Sequence, residues 1–250
     1  MTTRSGGIVA IETSSPANKT RRIWAFERGS LWTMNLIAGV VELFPTKPSI
    51  DAKFGEVRRE DGKKIAEAMG LPDVNPVLHR LASGKRCYAA WINNEIAAYG
   101  WVSRSAECIG EIEHEIQLQP NEAYIWDCAT LPRYRQKGLY IALLVFICSE
   151  LHNEGLRQVW IGSSVKNKPS LRGFSRAGFL PVITLNYFRM LNLSVLWVTG
   201  DPDATRSSIA SARHILTSNW KHLLGSFVFD FSSQGQISSI SHSSCSDGTI

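Results

Sequence analysis

The spacing of apolar positions changes character along the chain. Between Arg58 and Met69 they recur at helical intervals up to Gly70 and Pro72, which predicts a helix despite Gly62. Asn75 to Ala82 predicts a second, short helix. From Arg86 the pattern becomes strand-like. Cys87–Ile92 and Glu95–Val102 are apolar, aromatic-rich runs joined by Asn93-Asn94, two residues that tolerate positive φ, and they predict a tight hairpin. Ile109–Leu118 alternates isoleucine with charged residues, and Pro120-Asn121 turns the chain into Ala123–Leu131, so a three- or four-stranded antiparallel meander is expected. Leu139–Glu154 is apolar almost all round, too long for one strand and stopped by Gly155, which reads as a buried helix. Gln158–Ser164 predicts a strand, Asn167–Ala177 a short helix closed by Gly178, and Phe179–Val198 two more strands. This succession is α/β, with at least one parallel pair.

The flanks lack such periods. Residues 1–20 read as a disordered N-terminus, 21–200 as one domain whose N-terminal portion, 50–84, is helical, and 201–225 as a C-terminal extension. Residues 226–250 hold nine Ser and no Lys or Arg, which predicts a disordered tail, setting in after about Phe231. With 44% hydrophobic and 20% charged residues in 250, the chain has the composition of a globular protein with a substantial core. The longest uninterrupted apolar run, Leu139–Cys148, is too short for a membrane span, and the first twenty residues contain no secretory core, so the reading is a cytoplasmic protein without membrane partners. Five cysteines, odd in number and without a Cys-x-x-Cys pair, argue against a disulfide framework or a zinc site, and no metal is expected. The net charge of +5 suits a phosphate-bearing ligand better than nucleic acid, because the basic residues are scattered and no aromatic-interleaved stripe occurs.

Chemistry concentrates in Thr130-Leu131-Pro132-Arg133-Tyr134-Arg135-Gln136-Lys137-Gly138-Leu139-Tyr140. A strand ends, a loop with three cations follows, and a long helix starts. The free N–H groups and macrodipole at a helix start attract anions, Gly138 lets one approach the backbone, and Arg133, Arg135 and Lys137 add charge. One strand later come Asn167, Ser170, Phe174 and Gly178-Phe179. Together the two segments resemble the GNAT acetyltransferase family. Its strand-turn-helix carries a Val-x-Pro lead-in (here Thr130-Leu131-Pro132) and an Arg/Gln-x-x-Gly-x-Gly/Ala turn (here Arg135 to Tyr140). Its later Asn-x-x-Ser-x-x-x-Tyr-x-x-x-Gly-Phe pattern falls on Asn167, Ser170, Phe174, Gly178 and Phe179. The resemblance covers about residues 84–190.

It implies an α/β (α+β) fold: a GNAT-like central sheet, mixed but mostly antiparallel, of about six or seven strands flanked by helices and splayed between the strands before and after the long buried helix. It also implies acetyl-CoA, or another acyl-CoA, and transfer of the acyl group to a primary amine of a small molecule or amino sugar by direct attack in a ternary complex. The backbone of Arg135, Gln136, Lys137, Gly138, Leu139 and Tyr140 would hold the pyrophosphate. The strand around Cys128 and Thr130 would pair with the pantetheine arm, with Asn167, Ser170 and Phe174 opposite. Two positions depart from the family: Tyr140 stands where it prefers Gly or Ala, and Phe174 where many members place a proton-donating Tyr. Both favour the alternative, a non-catalytic GNAT-like module that binds CoA or a protein partner.

The strand facing the thioester carries one carboxylate, Asp127, flanked by Trp126 and Cys128. Apolar company would raise its pKa and suit it to act as a base. The alternative is a carboxylate satisfied by backbone N–H groups at a bulge. Tyr124 is the second catalytic candidate, unless it only packs. Glu111, Glu113 and Glu115 either line an acceptor site for a cationic amine or form a half-exposed strand face, and His114 either relays a proton or is a surface residue or satisfied hydrogen-bonder. Trp24, Trp32 and Phe54 either stack on a sugar or pack. The oligomeric state stays open, a homodimer included.

Overall fold

The computed structural model describes residues 24–36, 47–110, 112, 114–190, 193–217 and 226–230. Residues 1–20, Glu111, Glu113, the side chain of Trp24 and residues 231–250, on all of which expectations fell, lie outside them.

Among the described residues, eleven strands and five α-helices run in the order β1 (Trp24–Asn35), β2 (Lys53–Glu56), α1 (Gly62–Ala68), α2 (Asn75–Ala82), β3 (Arg86–Ile92), β4 (Glu95–Ser103), β5 (Ala106–Ile109), β6 (His114–Gln117), β7 (Glu122–Thr130), α3 (Leu139–Asn153), β8 (Gln158–Ser164), α4 (Lys168–Arg176), β9 (Leu180–Met190), β10 (Leu193–Gly200), α5 (Arg206–Thr217) and β11 (Ser226–Asp230). Nine strands form one sheet in the order β11-β10-β9-β1-β8-β7-β4-β3-β2, and β5 and β6 form a separate two-stranded sheet. The pairing is antiparallel except for β7–β8 and β10–β11. The fold is therefore the mixed α/β architecture expected, with more strands than the six or seven foreseen.

Local chemistry explains most elements. Asn93 and Asn94 take φ of 49° and 63°, the left-handed pair that a two-residue hairpin between β3 and β4 requires. Gly62 opens α1 after a short 3-10 turn at Arg59–Asp61 instead of interrupting a longer helix. Asn167 caps α4, its Oδ1 accepting the Ser170 N–H at 3.3 Å, with Pro169 in the first turn. Arg86 clamps three elements, donating to Glu56 and to Glu154, and these bonds hold its guanidinium charged.

Three expectations need correction. The chain does not begin with helices: β1, twelve residues long, comes first and inserts between β8 and β9. It pairs on both edges, and its two faces meet different clusters, Leu31 on one side and Met34 on the other, which blurs the alternation that marks a half-exposed strand. The run Ile109–Leu118 is not a strand of the meander. The chain reverses after Ile109, with the Ile112 N–H donating to the Ile109 carbonyl at 3.1 Å, and β5 and β6 pair with each other outside the main sheet. Finally, Cys108 is disulfide-bonded, whereas Cys87, Cys128 and Cys148 are free; sequence spacing says nothing about which thiols fold together. β11 occupies the first five residues of the expected tail.

Helices α3 and α4 cover one face of the sheet over a core that includes Tyr88, Ile125, Leu144, Ile161 and Phe174. On the other face, α1 and α2 cover β3, β4 and β7, while the β5–β6 hairpin and α5 cover β9 and its neighbours. No helix among the described residues is long and apolar enough to cross a membrane.

Leu144 lies fully buried at the middle of α3. Leu144→Ala is expected to cost about 2–5 kcal/mol of folding stability, read from the midpoint and slope of urea unfolding.

Candidate active site

β7 and β8 run parallel and are paired only from Glu122↔Gln158 to Ile125↔Ile161. Beyond that point β7 continues to Thr130 and β8 to Ser164 without bonding to each other. The cause lies in β7. Its ladder to β4 passes from Trp126↔Trp101 to Ala129↔Tyr99, so Asp127 and Cys128 together oppose Gly100, a β-bulge. Asp127 takes φ of +44°, a left-handed conformation that Asp tolerates better than most residues. Gly100 is required across from it, because a Cβ there would lie 2.9 Å from Cys128 Sγ. The bulge bends β7 away from β8 and opens a wedge with unpaired backbone along one side.

Below the wedge the chain makes a nest of amides. Gln136 and Gly138 have φ of 62° and 78°, and Gly138 caps α3 in the left-handed region. Pro48 comes within 3.4 Å of where a Gly138 Cβ would stand, and the Ser49 N–H donates to the Lys137 carbonyl at 3.0 Å, bracing the turn from outside. Among the described residues, no N–H from Gln136 to Ile141 donates to a backbone carbonyl. Consecutive unpaired amides at a helix start make an anion-binding concavity. Of the three turn cations, Arg133 is directed away, bonded to Glu95 at 2.6 Å. Arg135 Nε donates to the Thr130 carbonyl at 3.3 Å, and Lys137 has no acidic partner among the described residues. Thr130 Oγ1, at the end of β7, is buried and finds no partner among them. The amide nest, the unpaired edge and this orphaned hydroxyl fit a diphosphate carrying an amide-bearing arm.

Tyr140 lies against α4, not across the nest. A Cβ on Gly173 would fall 2.6 and 2.7 Å from its ring carbons, and its hydroxyl lies beside the Ser170 side chain. The bulk that the turn lacks room for is accommodated by a missing side chain on the facing helix, and Gly173 is the signal the motif comparison passes over. Phe174 is buried in an aromatic group with Trp32, Tyr140 and Phe179. Trp32 therefore packs, as does Phe54, against Phe146. Burial pushes the Tyr140 hydroxyl and the Cys128 thiol well up, so both keep their protons at neutral pH.

Asp127 has a partner that sequence reasoning misses. Arg80, on α2, donates through Nη1 to Asp127 Oδ2 at 2.5 Å. Its guanidinium lies 5.1 Å from the Trp101 ring and 4.6 Å from that of Trp126. The expected apolar company is present, but a cation accompanies it. Tyr124 is buried, its hydroxyl 3.2 Å from where a Gly162 Cβ would stand, on the sheet face opposite α3. His114 is buried, with Nε2 bonded to the Leu216 carbonyl at 2.8 Å, the satisfied alternative; Glu115 accepts from Gln117.

The profile of the Acetyltransferase (GNAT) family matches residues 54–179, just over half of the chain. No curated protein sequence matches significantly. Among solved structures, a GNAT-family protein from Novosphingobium aromaticivorans is similar at 15% identity, over 65% of this chain and 63% of that one, with a TM-score of 0.44. A GNAT-family acetyltransferase from Colwellia psychrerythraea shows 15% identity over 63% and 54% of the two chains, TM-score 0.45. The ribosomal-protein-S18-alanine N-acetyltransferase from Escherichia coli shows 16% over 52% and 78%, TM-score 0.42. The chain thus spans less than two thirds of the first two structures.

Gly173→Ala should destabilise the fold by about 1–3 kcal/mol through overpacking against the Tyr140 ring, and Tyr140→Leu should remove most of that penalty. Chemical denaturation of the two single variants and the double variant checks this.

Proposed function

Because the chain belongs to the GNAT acetyltransferase family, we propose that it is an acyl-CoA-dependent N-acyltransferase, taking acetyl-CoA as donor substrate and a primary amine of a small molecule or amino sugar as acceptor. The observation that carries this reading is the wedge opened by the β7 bulge directly above an unpaired amide nest. On this reading the unpaired amides from Gln136 to Tyr140 hold the pyrophosphate; the Arg135 N–H, expected to join them, donates to the Pro132 carbonyl at 3.3 Å, and the Lys137 and Arg135 side chains add charge. The edge of β7 from Cys128 to Thr130 takes the pantetheine amides as a further strand would, Arg135 giving up its bond to the Thr130 carbonyl, and Asn167 and Ser170 border the arm from α4. The donor supplies an activated thioester carbonyl.

The acceptor must lose a proton before its nitrogen can attack. Asp127 stands at the bulge, where the wedge opens, and receives that proton; the C–N bond then forms as the C–S bond breaks, and the nitrogen sheds its second proton to the departing thiolate or to solvent. Tyr124 lies on the same strand, three residues earlier, and serves as a secondary candidate. The protonated Cys128 thiol is a poor nucleophile, which favours direct transfer over an acyl-cysteine relay. Phe174 has no proton to give a leaving sulfur.

That last point, with the pairing of Asp127 to Arg80, favours a second reading: a module that binds CoA without turning it over. Calorimetric titration with acetyl-CoA and an assay of free thiol release over a panel of amines separate the two. Binding with turnover is expected; binding without it supports the module, and no binding at high micromolar acetyl-CoA ends both. Asn tolerates the left-handed backbone at 127, so Asp127→Asn keeps the bulge while removing the base. It should lower kcat at least tenfold with acetyl-CoA affinity nearly unchanged.

A further inference from the structure

The acceptor end of the site has a composition of its own. Arg80 and Asp127 form an ion pair that is neither buried nor free, with side chains 29% and 25% exposed. A guanidinium has five donors and a carboxylate two oxygens. Among the described residues the pair uses one donor and one oxygen on each other, and no other bond to either side chain occurs. The guanidinium is held by two indoles whose centroids are 6.0 Å apart and whose planes are inclined by 34°. Trp126 is itself fixed. Its Nε1–H donates to Ser103 Oγ at 2.8 Å, Ser103 donates to Glu107, and Lys85 neutralises Glu107 at 2.7 Å. The other acid of this neighbourhood is thus already spoken for.

From this arrangement we infer that the acceptor is an aminocarboxylate, a zwitterion of the α-amino-acid class, whose carboxylate bonds to the remaining edge of Arg80 while its ammonium faces Asp127. The inference rests on the acyltransfer reading above and narrows it. Charge decides between acceptor classes. Arg80 and Asp127 sum to zero, so a simple ammonium or amino sugar would bring an uncompensated positive charge beside a guanidinium. A zwitterion brings equal and opposite charges to a pair that has both. The planar fork of Arg80, held rigid by the indoles, is the group that recognises a carboxylate through two parallel bonds. Trp126 provides an apolar wall for the side chain of the acceptor. An amino sugar needs several hydroxyl partners, and this seam between α2 and β7 offers one ion pair lying against two adjacent indoles.

The test uses the full chain and matched ligands that differ only in the carboxylate: L-phenylalanine against 2-phenylethylamine, L-leucine against 3-methylbutylamine, and so through the proteinogenic amino acids. Binding is read by calorimetry with and without saturating acetyl-CoA, and turnover by thiol release. At least one amino acid should bind and react with kcat/KM ten or more times that of its decarboxylated counterpart. Arg80→Gln should raise KM for that amino acid at least tenfold with a smaller change in kcat, erase the discrimination, and leave acetyl-CoA affinity within twofold. Arg80→Lys, which keeps the charge and loses the fork, should fall between and guards against loss of folding in the glutamine variant. The inference is overturned if decarboxylated amines bind and react as well as their parents, if no amino acid binds although acetyl-CoA does, or if Arg80→Gln weakens both ligand classes equally. Amino-acid binding without any acetyl-CoA binding supports the inference and removes the acyltransfer reading instead.

Discussion

A strand inside a sheet leaves its neighbour only where its backbone is forced aside, and β7 is forced aside by a single extra residue. Asp127 and Cys128 share the place opposite Gly100, the chain takes a left-handed step, and the parallel ladder to β8 ends two positions earlier, at Ile125. The ion pair from α2 secures the bulge, because Arg80 reaches the carboxylate while lying against the paired indoles of Trp101 and Trp126, next to the shift in register. The wedge, the exposed edge of β7 and the position of the candidate base all follow from that one insertion. So does the need for α2, which otherwise would merely cover the sheet.

Electrostatics reinforces this geometry by subtraction. The chain carries an excess of five positive charges, and several cations around the site are paired locally: Arg86 with Glu56 and Glu154, Arg133 with Glu95, Lys85 with Glu107 and Arg80 with Asp127. At the start of α3, Lys137 and the half-engaged Arg135 keep charge available beside the unpaired amides.

What could be read from the chain, and what could not, divides along physical lines. The α3 helix, β8, α2 and the β3–β4 hairpin were legible because each carries a complete local signal: an all-round apolar run stopped by glycine, a short apolar run between turns, and two asparagines that accept positive φ. The nest was legible for the same reason, since Gly138 and its cations are contiguous. β1 was not, because a strand paired on both edges, with Leu31 and Met34 buried on opposite faces, loses its alternation. The β5–β6 hairpin was misread because one glycine, Gly110, is a weak punctuation inside an otherwise regular alternation. Arg80 and Gly173 were missed because their partners lie 47 and 33 residues away in sequence, at Asp127 and Tyr140, and no local pattern links them. Asp127 itself could be named, but its charge environment depends on tertiary packing.

The placement of β1 bears on how the molecule is made. Its residues pair with β8 and β9, so Gly29 finds Ser164 on one side and Leu185 on the other. A ribosome releases β1 early, yet both edges that receive it emerge more than a hundred residues later, after the segment matched by the family profile has nearly ended at residue 179. Until Gln158–Ser164 is out, Trp24–Asn35 has two unpaired edges, and until Met190 is out it keeps one, so the middle of the sheet cannot close. Such non-local pairing slows folding and leaves a sticky segment exposed during translation. The centre of the sheet therefore closes only after the chain has run more than 150 residues past its β1 strand.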